Sequence, residues 1–195
     1  MDIKNLISLL SKLEGLKNNT RHSWTSTGRQ ESVAEHCWRL VMMAWLMRDQ
    51  FEGINMDEVM LLCLVHDWGE AITGDIPSFY KSDQHDRTEE EAVDMLLAEL
   101  PEKDQAILKP LFESFSRLDT PEARLARALD KLEVVLQHND ADLSTWLPLE
   151  YSMNQIYAEE ACREFPYLFA IQQQAKADSR QKLLEQGIDP DVIYH

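Results

Sequence analysis

The residue pair His66–Asp67 ends a nearly unbroken apolar run from Val59 to Val65. A helix that is apolar on all sides is buried, so the pair is expected at the inner end of a central helix. A buried aspartate beside a buried histidine costs free energy unless a partner binds both side chains. A metal ion is the simplest partner of that kind, so the pair is a candidate metal site.

Two further carboxylates follow this pair closely. Glu70 lies four residues after His66, on the same face of a helix, although alone it is equally consistent with a surface residue. Asp75 lies within Thr73–Pro77, a segment expected to end the helix in a turn. The pair alone is not specific, because His85–Asp86 repeats it in a polar stretch that is expected to be a solvated loop.

Composition favours one helical domain over residues 1–195. The chain is 44% hydrophobic and 28% charged, which is ordinary for a globular protein, and its 6 glycines and 7 prolines favour helices over sheets. A net charge of −16 argues against binding a nucleic-acid polymer or an anionic membrane. A small anionic substrate stays compatible, since one arginine and a metal ion can invert the local field.

The chain carries no evident targeting or membrane signal. Its first residues contain no uninterrupted apolar segment, so no signal peptide is expected, and no apolar run approaches the ~20 residues of a membrane span. Cys37, Cys63 and Cys162 show no CxxC spacing, which favours reduced thiols and a cytoplasmic protein. Cys63 precedes His66 by three residues and could be a ligand, but its apolar neighbours favour a core position.

Helical periodicity and capping signals predict the elements that position these residues. Helices are expected over 2–16, 32–50, 55–72, from Thr88, between Pro101 and Pro110, from Leu111, over 120–138, 150–164 and 167–186. Ser32 and Glu35 form a capping box that places His36 in the first turn of its helix. Residues 17–31 are expected to form an irregular loop, and 187–195 a loosely held tail.

Asp130 is the candidate that could complete the site from a third helix. It interrupts an otherwise apolar sequence and forms a polar line with Glu133 and Gln137. That line faces either solvent or a polar cavity, and the residues alone favour solvent slightly. His36 alone is likewise more typical of a hydrogen-bonded residue in the core or at its boundary than of a metal ligand.

Together, these residues indicate a metal site. His36, His66, Asp67 and Asp130 come from three predicted helices and offer two imidazoles and two carboxylates. This donor set suits a divalent transition metal or Mn²⁺. Four protein ligands leave room for water only at higher coordination number, which argues against a closed tetrahedral zinc site.

The order of these four residues resembles the signature of the HD-domain metal-dependent phosphohydrolases. Five segments, within about residues 3–140, also resemble the HD-domain 5′-deoxynucleotidase group. They are Arg21–Trp24, Glu31–His36, His66–Glu70, Thr73–Pro77 and Leu129–Glu133.

The resemblance implies a specific fold, site and reaction. The fold would be an all-α HD-domain helical bundle with additional C-terminal helices at about 150–186, commonly a homodimer. The reaction would remove phosphate from (deoxy)nucleoside 5′-monophosphates, by attack of a metal-bound water assisted by Glu70. One divalent ion per subunit (Mn, Co, Mg, Zn or Fe) would be held by His36, His66, Asp67 and Asp130. Arg21 would bind the phosphate, and Trp24 and Asp75 would contact the sugar.

Two alternatives stay open at this point. HD-type sites also serve other phosphate chemistry, so the substrate could be a phosphodiester or a pyrophosphate of a nucleotide. The chain could also be a non-catalytic dimer that binds metal and nucleotide. Product analysis distinguishes the first alternative from a phosphomonoesterase, because a diester gives a monophosphate and a monoester gives free phosphate. A phosphate assay beside a binding measurement tests the second, which predicts nucleotide binding without turnover.

Overall fold

The computed structural model describes residues 1–193, and the predicted all-α fold is confirmed. The helices are α1 (Ile3–Leu13), α2 (Gly15–Asn18), α3 (Val33–Met47), α4 (Met56–Val65), α5 (Glu70–Thr73), α6 (Asp83–Leu97), α7 (Glu102–Arg117), α8 (Pro121–Asp140), α9 (Pro148–Met153), α10 (Glu159–Arg163) and α11 (Pro166–Glu185). Two short strands, β1 (Thr20–Trp24) and β2 (Gln30–Ser32), pair antiparallel. No helix within residues 1–193 is long and apolar enough to cross a membrane.

The core lies where α3, α4 and α8 meet, with α10 and α11 against α8. Leu40 of α3, Leu62 of α4 and Leu129 of α8 are almost completely buried there. Burying a leucine side chain contributes about 1.5–3 kcal/mol, so this shared core fixes the three helices relative to one another. Cys63 is also buried in this core, and all three cysteines are free.

Two predicted helix starts are confirmed. The Ser32 hydroxyl accepts a hydrogen bond from the Glu35 backbone N–H at 3.3 Å, and the Glu35 carboxylate accepts from the Ser32 N–H at 2.9 Å. The Thr120 hydroxyl accepts from the Ala123 N–H at 3.2 Å, with Pro121 in the first helical position. These caps fix where α3 and α8 begin, and therefore the positions of their polar side chains.

The prediction of an irregular loop over 17–31 is wrong, because α2 and a β-hairpin occupy most of that segment. The strands are short and polar, so they lack the alternating pattern by which strands are recognised in a sequence. Gly28 has a φ of 78° and permits the turn between them. The Gln137 side-chain amide donates to the Trp24 carbonyl at 2.7 Å and joins the hairpin to α8.

The predicted helix over 55–72 is interrupted after Val65. A tight turn follows, in which the Trp68 N–H donates to the Val65 carbonyl and the Glu70 N–H donates to the Asp67 carbonyl, both at 3.0 Å. These i→i+3 bonds wind the chain more tightly than an α-helix, and they redirect the side chains that follow. Consequently His66 and Asp67 lie in the turn that leads from α4 to α5.

The predictions for α6 and α7 are also corrected. Thr88 is not an N-cap but lies inside α6, where its hydroxyl donates to the Gln84 carbonyl at 2.9 Å. His85–Asp86 lie in the first turn of α6 rather than in a loop. Pro110 lies within α7 instead of separating two helices.

The C-terminal part differs from the prediction in two places. The segment 150–164 forms α9 and α10 rather than one helix. The tail is better held than expected, because Pro190 is buried and its carbonyl accepts from the Gln155 amide at 2.7 Å. The last two residues of the predicted tail, 194 and 195, lie outside the described residues.

Candidate metal and phosphate site

The four predicted metal ligands converge from the first turn of α3, the turn after α4 and the middle of α8. Nε2 of His36 lies 3.2 Å from Oδ1 of Asp130 and 3.9 Å from Oδ2 of Asp67. Nε2 of His66 lies 3.2 Å from Oδ1 of Asp67 and 3.9 Å from Oδ1 of Asp130. The core formed by α3, α4 and α8 therefore brings both imidazoles and both carboxylates to one point.

The chemistry of His66 fits a metal ligand. The residue is only 6% exposed, and neither ring nitrogen has a hydrogen-bond partner among the described residues. Burial lowers the pKa of His66 despite the nearby charges of Asp67 and Asp130, which favours the neutral imidazole. A neutral ring with a free nitrogen is the form that binds metal, so a divalent ion would satisfy an otherwise unpaired buried group.

Glu133 holds His36 from the side opposite to the cluster. Its Oε2 lies 2.6 Å from Nδ1 of His36, and both side chains are completely buried. Burial and the charge of Arg21 lower the pKa of His36, but Glu133 and Asp130 outweigh them and raise it to about 10. With Nδ1–H directed at Glu133, Nε2 of His36 is the nitrogen that faces the cluster.

Asp130 faces the histidines, so the slight preference for a solvent-facing position is wrong. Its side chain is 16% exposed, and its second oxygen accepts from Arg127 at 3.4 Å. Burial alone would raise the pKa of Asp130. The hydrogen bond from His36 and the charges of His36 and Arg127 outweigh burial and hold the pKa of Asp130 well below its usual range.

Glu70 is a buried carboxylate beside the cluster, not a surface residue. It is 4% exposed, and its Oε2 has no hydrogen-bond partner among the described residues. Burial, followed by the charges of Asp67 and Asp75, raises the pKa of Glu70 to about 9. The Asn19 amide donates to the Glu70 carbonyl at 2.5 Å and anchors α5 against the segment before β1.

Arg21 on β1 supplies a cation next to these carboxylates. Its Nη1 lies 3.3 Å from Oδ2 of Asp67 and 3.6 Å from Oδ1 of Asp75. Its Nε is buried without a hydrogen-bond partner among the described residues. A guanidinium in this position could bind a phosphate dianion through two parallel hydrogen bonds.

A cavity of about 160 Å³ opens onto these groups. Its lining includes five of the eight predicted site residues: Arg21, Asp67, Glu70, Asp75 and Asp130. Trp24 is not among the lining residues. Its backbone carbonyl accepts a hydrogen bond from the side chain of Gln137 on α8. The structure thus brings Arg21 and Asp75 to the cavity but does not place Trp24 there.

A second polar group lines the same cavity and was missed by sequence reasoning. It comprises His22 on β1, His138 on α8, Glu150 on α9 and Asn154 just after α9. No motif marks these residues. The only sequence signal is that His138 lies eight residues after Asp130, two steps of four along the same side of α8.

The comparisons with known proteins agree with this geometry. A family model described as HD domain matches residues 13–165. The chain belongs to the HD-domain family. It is 34% identical to the 5′-deoxynucleotidase HDDC2 of Bos taurus over 70% of this chain and 68% of that protein, and 33% identical to the human protein of that name over the same shares.

Among solved structures, this HD-domain chain is similar to one described as a predicted metal-dependent phosphohydrolase from Magnetospirillum magnetotacticum. The TM-score is 0.77 and the identity 22%, with 96% of each chain covered, which shows a shared fold. Family membership and the cluster of His36, His66 and Asp67, whose donor atoms lie within 4.8 Å of one another, together indicate a divalent metal ion.

Proposed function

We propose that this HD-domain protein is a metal-dependent 5′-deoxynucleotidase, which hydrolyses (deoxy)nucleoside 5′-monophosphates to nucleoside and phosphate. The observation that carries the proposal is the meeting of three groups at one cavity: the candidate metal ligands Asp67 and Asp130, the buried carboxylate of Glu70 and the guanidinium of Arg21. The similarity to proteins named 5′-deoxynucleotidase supports the same reaction.

His36, His66, Asp67 and Asp130 would hold one divalent ion per subunit. Two nitrogens and two oxygens suit Mn²⁺, Co²⁺ or Fe²⁺, and Mg²⁺ and Zn²⁺ are the further candidates. When bound, such an ion stabilises charge on a phosphoryl oxygen and lowers the pKa of water from ~15.7 to about 7. Cys63 takes no part in this set, since it is buried in the apolar core.

The chain's own residues would do the rest of the work on a phosphomonoester. The positive charge of a bound ion would favour the ionised form of Glu70, which is buried with one free carboxylate oxygen. In that form Glu70 would orient the attacking water and accept its proton. Arg21 would exchange its contacts with Asp67 and Asp75 for the substrate phosphate and stabilise its charge as the P–O bond breaks. Asp75 would accept a hydrogen bond from the sugar, and Trp24 is proposed as a sugar contact from the resemblance alone.

We also propose that the chain acts as one domain over 1–195, in a cytoplasmic homodimer, on small nucleotides rather than on nucleic-acid polymers or membranes. The surfaces that support a dimer are apolar side chains left exposed on two helices: Ile3, Ile7 and Leu10 on α1, and Trp38 and Leu46 on α3. Light scattering of the purified protein tests the oligomeric state directly.

The decisive experiment is a phosphate-release assay on a panel of nucleoside 5′-monophosphates, with the metal-free protein and with Mn²⁺, Co²⁺, Mg²⁺, Zn²⁺ or Fe²⁺ added. Release that needs added metal supports the proposal, and deoxyribose and ribose substrates are compared in the same panel. Turnover of a diester to a monophosphate, or of a pyrophosphate, would favour the alternative hydrolase. Nucleotide binding in calorimetry without any turnover would overturn the enzymatic proposal.

A further inference from the structure

The polar group formed by His22, His138, Glu150 and Asn154 is built as a ligand-binding surface. Oε1 of Glu150 lies 3.1 Å from Nε2 of His22 and 3.7 Å from Nε2 of His138. Nδ1 of His138 lies 3.0 Å from Oδ1 of Asn154. The four side chains come from β1, α8 and the α9 region, so the fold assembles them at this one cavity.

One donor in this group has no partner. Asn154 is 2% exposed, and its Nδ2 makes no hydrogen bond with any described residue, although Asn154 lines the cavity. Leaving a buried polar group unpaired costs free energy, because the group loses its hydrogen bonds to water. A ligand oxygen in the cavity would remove that cost.

Glu150 supplies an acceptor close to this donor. It is 3% exposed, and its Oε2 accepts from the Leu147 N–H at 2.7 Å, which fixes the carboxylate on α9. A carboxylate has about four lone-pair sites, so Oε1 can accept from a ligand in addition to the contact with His22. The cavity therefore presents an acceptor and a donor on neighbouring side chains.

The apolar part of the lining suits a flat ring. Phe79, Met153 and Tyr157 line the cavity together with the polar group. Aromatic and thioether side chains favour contact with the faces of heteroaromatic rings. Asp67, Asp130 and Arg21 line the same cavity, so a nucleotide whose phosphate lies against them can place its base here.

We infer that His22, His138, Glu150 and Asn154 form a base-recognition subsite that favours keto bases over amino bases. Thymine, uracil and guanine present a ring N–H beside a carbonyl oxygen. Glu150 would accept from that N–H, and Nδ2 of Asn154 would donate to that oxygen. Cytosine and adenine present a ring nitrogen without hydrogen where Glu150 needs a donor, and an amino group where Asn154 donates. The inference rests on the proposed function, and it adds a substrate preference to it.

The test compares kcat/KM for dTMP, dUMP, dGMP, dCMP, dAMP and 2-deoxyribose 5-phosphate, which has no base. The keto nucleotides should exceed the amino nucleotides by about 10- to 100-fold, the range that one good pair of base contacts gives. Asn154→Ala should lower kcat/KM for the keto nucleotides about tenfold and leave the value for 2-deoxyribose 5-phosphate unchanged. Glu150→Gln should narrow the ratio of keto to amino nucleotides.

Asn139→Ala is the matched control. The Asn139 amide donates to the Ala175 carbonyl at 2.8 Å, and Asn139 does not line the cavity. Removing its side chain should therefore lower stability without changing the ratio of kcat/KM between keto and amino nucleotides. Equal rates for all bases in the unmodified protein, a preference for dAMP and dCMP, or an equal loss on the baseless substrate in Asn154→Ala would each overturn the inference.

The two proposals fail in different ways. Phosphate release without a base preference refutes the subsite and leaves the nucleotidase proposal standing. If no substrate releases phosphate, the nucleotidase proposal fails. The subsite is then tested by calorimetry, in which dTMP should bind about 10- to 100-fold more tightly than dCMP. Asn154→Ala is then compared with Asn139→Ala in that binding measurement.

Discussion

Nδ1 of His36 lies 2.6 Å from Oε2 of Glu133, and the two side chains join α3 to α8 in the interior of the protein. The contact fixes the rotation of the imidazole and directs Nε2 at Asp130 and Asp67. Glu133 therefore acts on the metal site through His36, and it is a positioning residue. Its own Oε1 lies 3.6 Å from Nε of Arg39, which balances part of its buried charge.

The first prediction concerns Glu133→Gln. The glutamine amide can donate to Nδ1 of His36 and so favour the wrong ring tautomer. Loss of such a hydrogen-bond partner of a metal ligand typically costs about 10–100-fold in metal affinity or activity. We therefore expect metal affinity to fall by about 10- to 100-fold. Metal titration of the metal-free protein by calorimetry measures it. Glu113→Gln on the exposed face of α7 is the control and should bind metal normally. Unchanged affinity in Glu133→Gln would show that the contact does not tune the ligand.

The second prediction concerns Glu70→Gln. An amide cannot accept the proton of the attacking water, so kcat should fall by about 10²–10⁴-fold while metal is retained. Steady-state kinetics and metal content by elemental analysis, done on the same samples, separate the two effects. Glu90→Gln, on the exposed side of α6, should keep full activity. An unchanged kcat in Glu70→Gln would remove Glu70 from the mechanism.

Local signals explain why much of the fold was predictable from the sequence. The capping box at Ser32 and the Thr120–Pro121 start are determined by neighbouring residues, and the structure confirms both. The predicted capping box at Thr88 does not form. A threonine hydroxyl inside a helix can instead donate to the carbonyl four residues earlier, as Thr88 does to Gln84. Sequence patterns do not distinguish these two uses of a threonine hydroxyl.

The site was predictable only in part, for a related reason. His66–Asp67 drew attention because a polar pair ends an apolar run, and Asp130 because it interrupts one. Glu150 lies in the short helix α9 and Asn154 lies just after it, where nothing in the sequence shows which way a side chain faces. Their contacts with His22 and His138 depend on how α9 packs against β1 and α8, which is a tertiary property.

The third prediction concerns Gly15→Ala, at the close approach of α2 to α5. A Cβ at Gly15 would collide with the backbone carbonyl of Ala71, which cannot move without shifting α5. We expect a loss of stability of about 1–3 kcal/mol, as for overpacking elsewhere, and a lower kcat because α5 carries Glu70. Urea unfolding and steady-state kinetics measure the two effects. Ser11→Ala on the exposed side of α1 is the control, and equal stability of the two variants would contradict the argument.

The last prediction concerns the dependence of stability on pH at His22. Glu150 of α9 raises the pKa of His22 through a hydrogen bond that outweighs burial, and Asp75 adds to the effect. His138 of α8 faces the same carboxylate and is held neutral, since burial lowers its pKa. A histidine with a raised pKa in the folded state stabilises the protein fully below about pH 6.5, its usual pKa, and loses that contribution as the pH rises through the folded value.

Replacing His22 by glutamine should therefore cost most stability at mildly acidic pH, on the order of 1 kcal/mol for one charged hydrogen bond, and progressively less as the pH rises. Urea unfolding of both proteins between pH 5.5 and 8.5, a range above the usual pKa of glutamate, measures the difference. Phe79→Leu is the control, because it removes the ring packed edge-on against His22 at 5.9 Å without changing any charge. Its cost should be the same at every pH, whereas a cost in His22→Gln that grows with pH would show that Glu150 does not stabilise a charged His22.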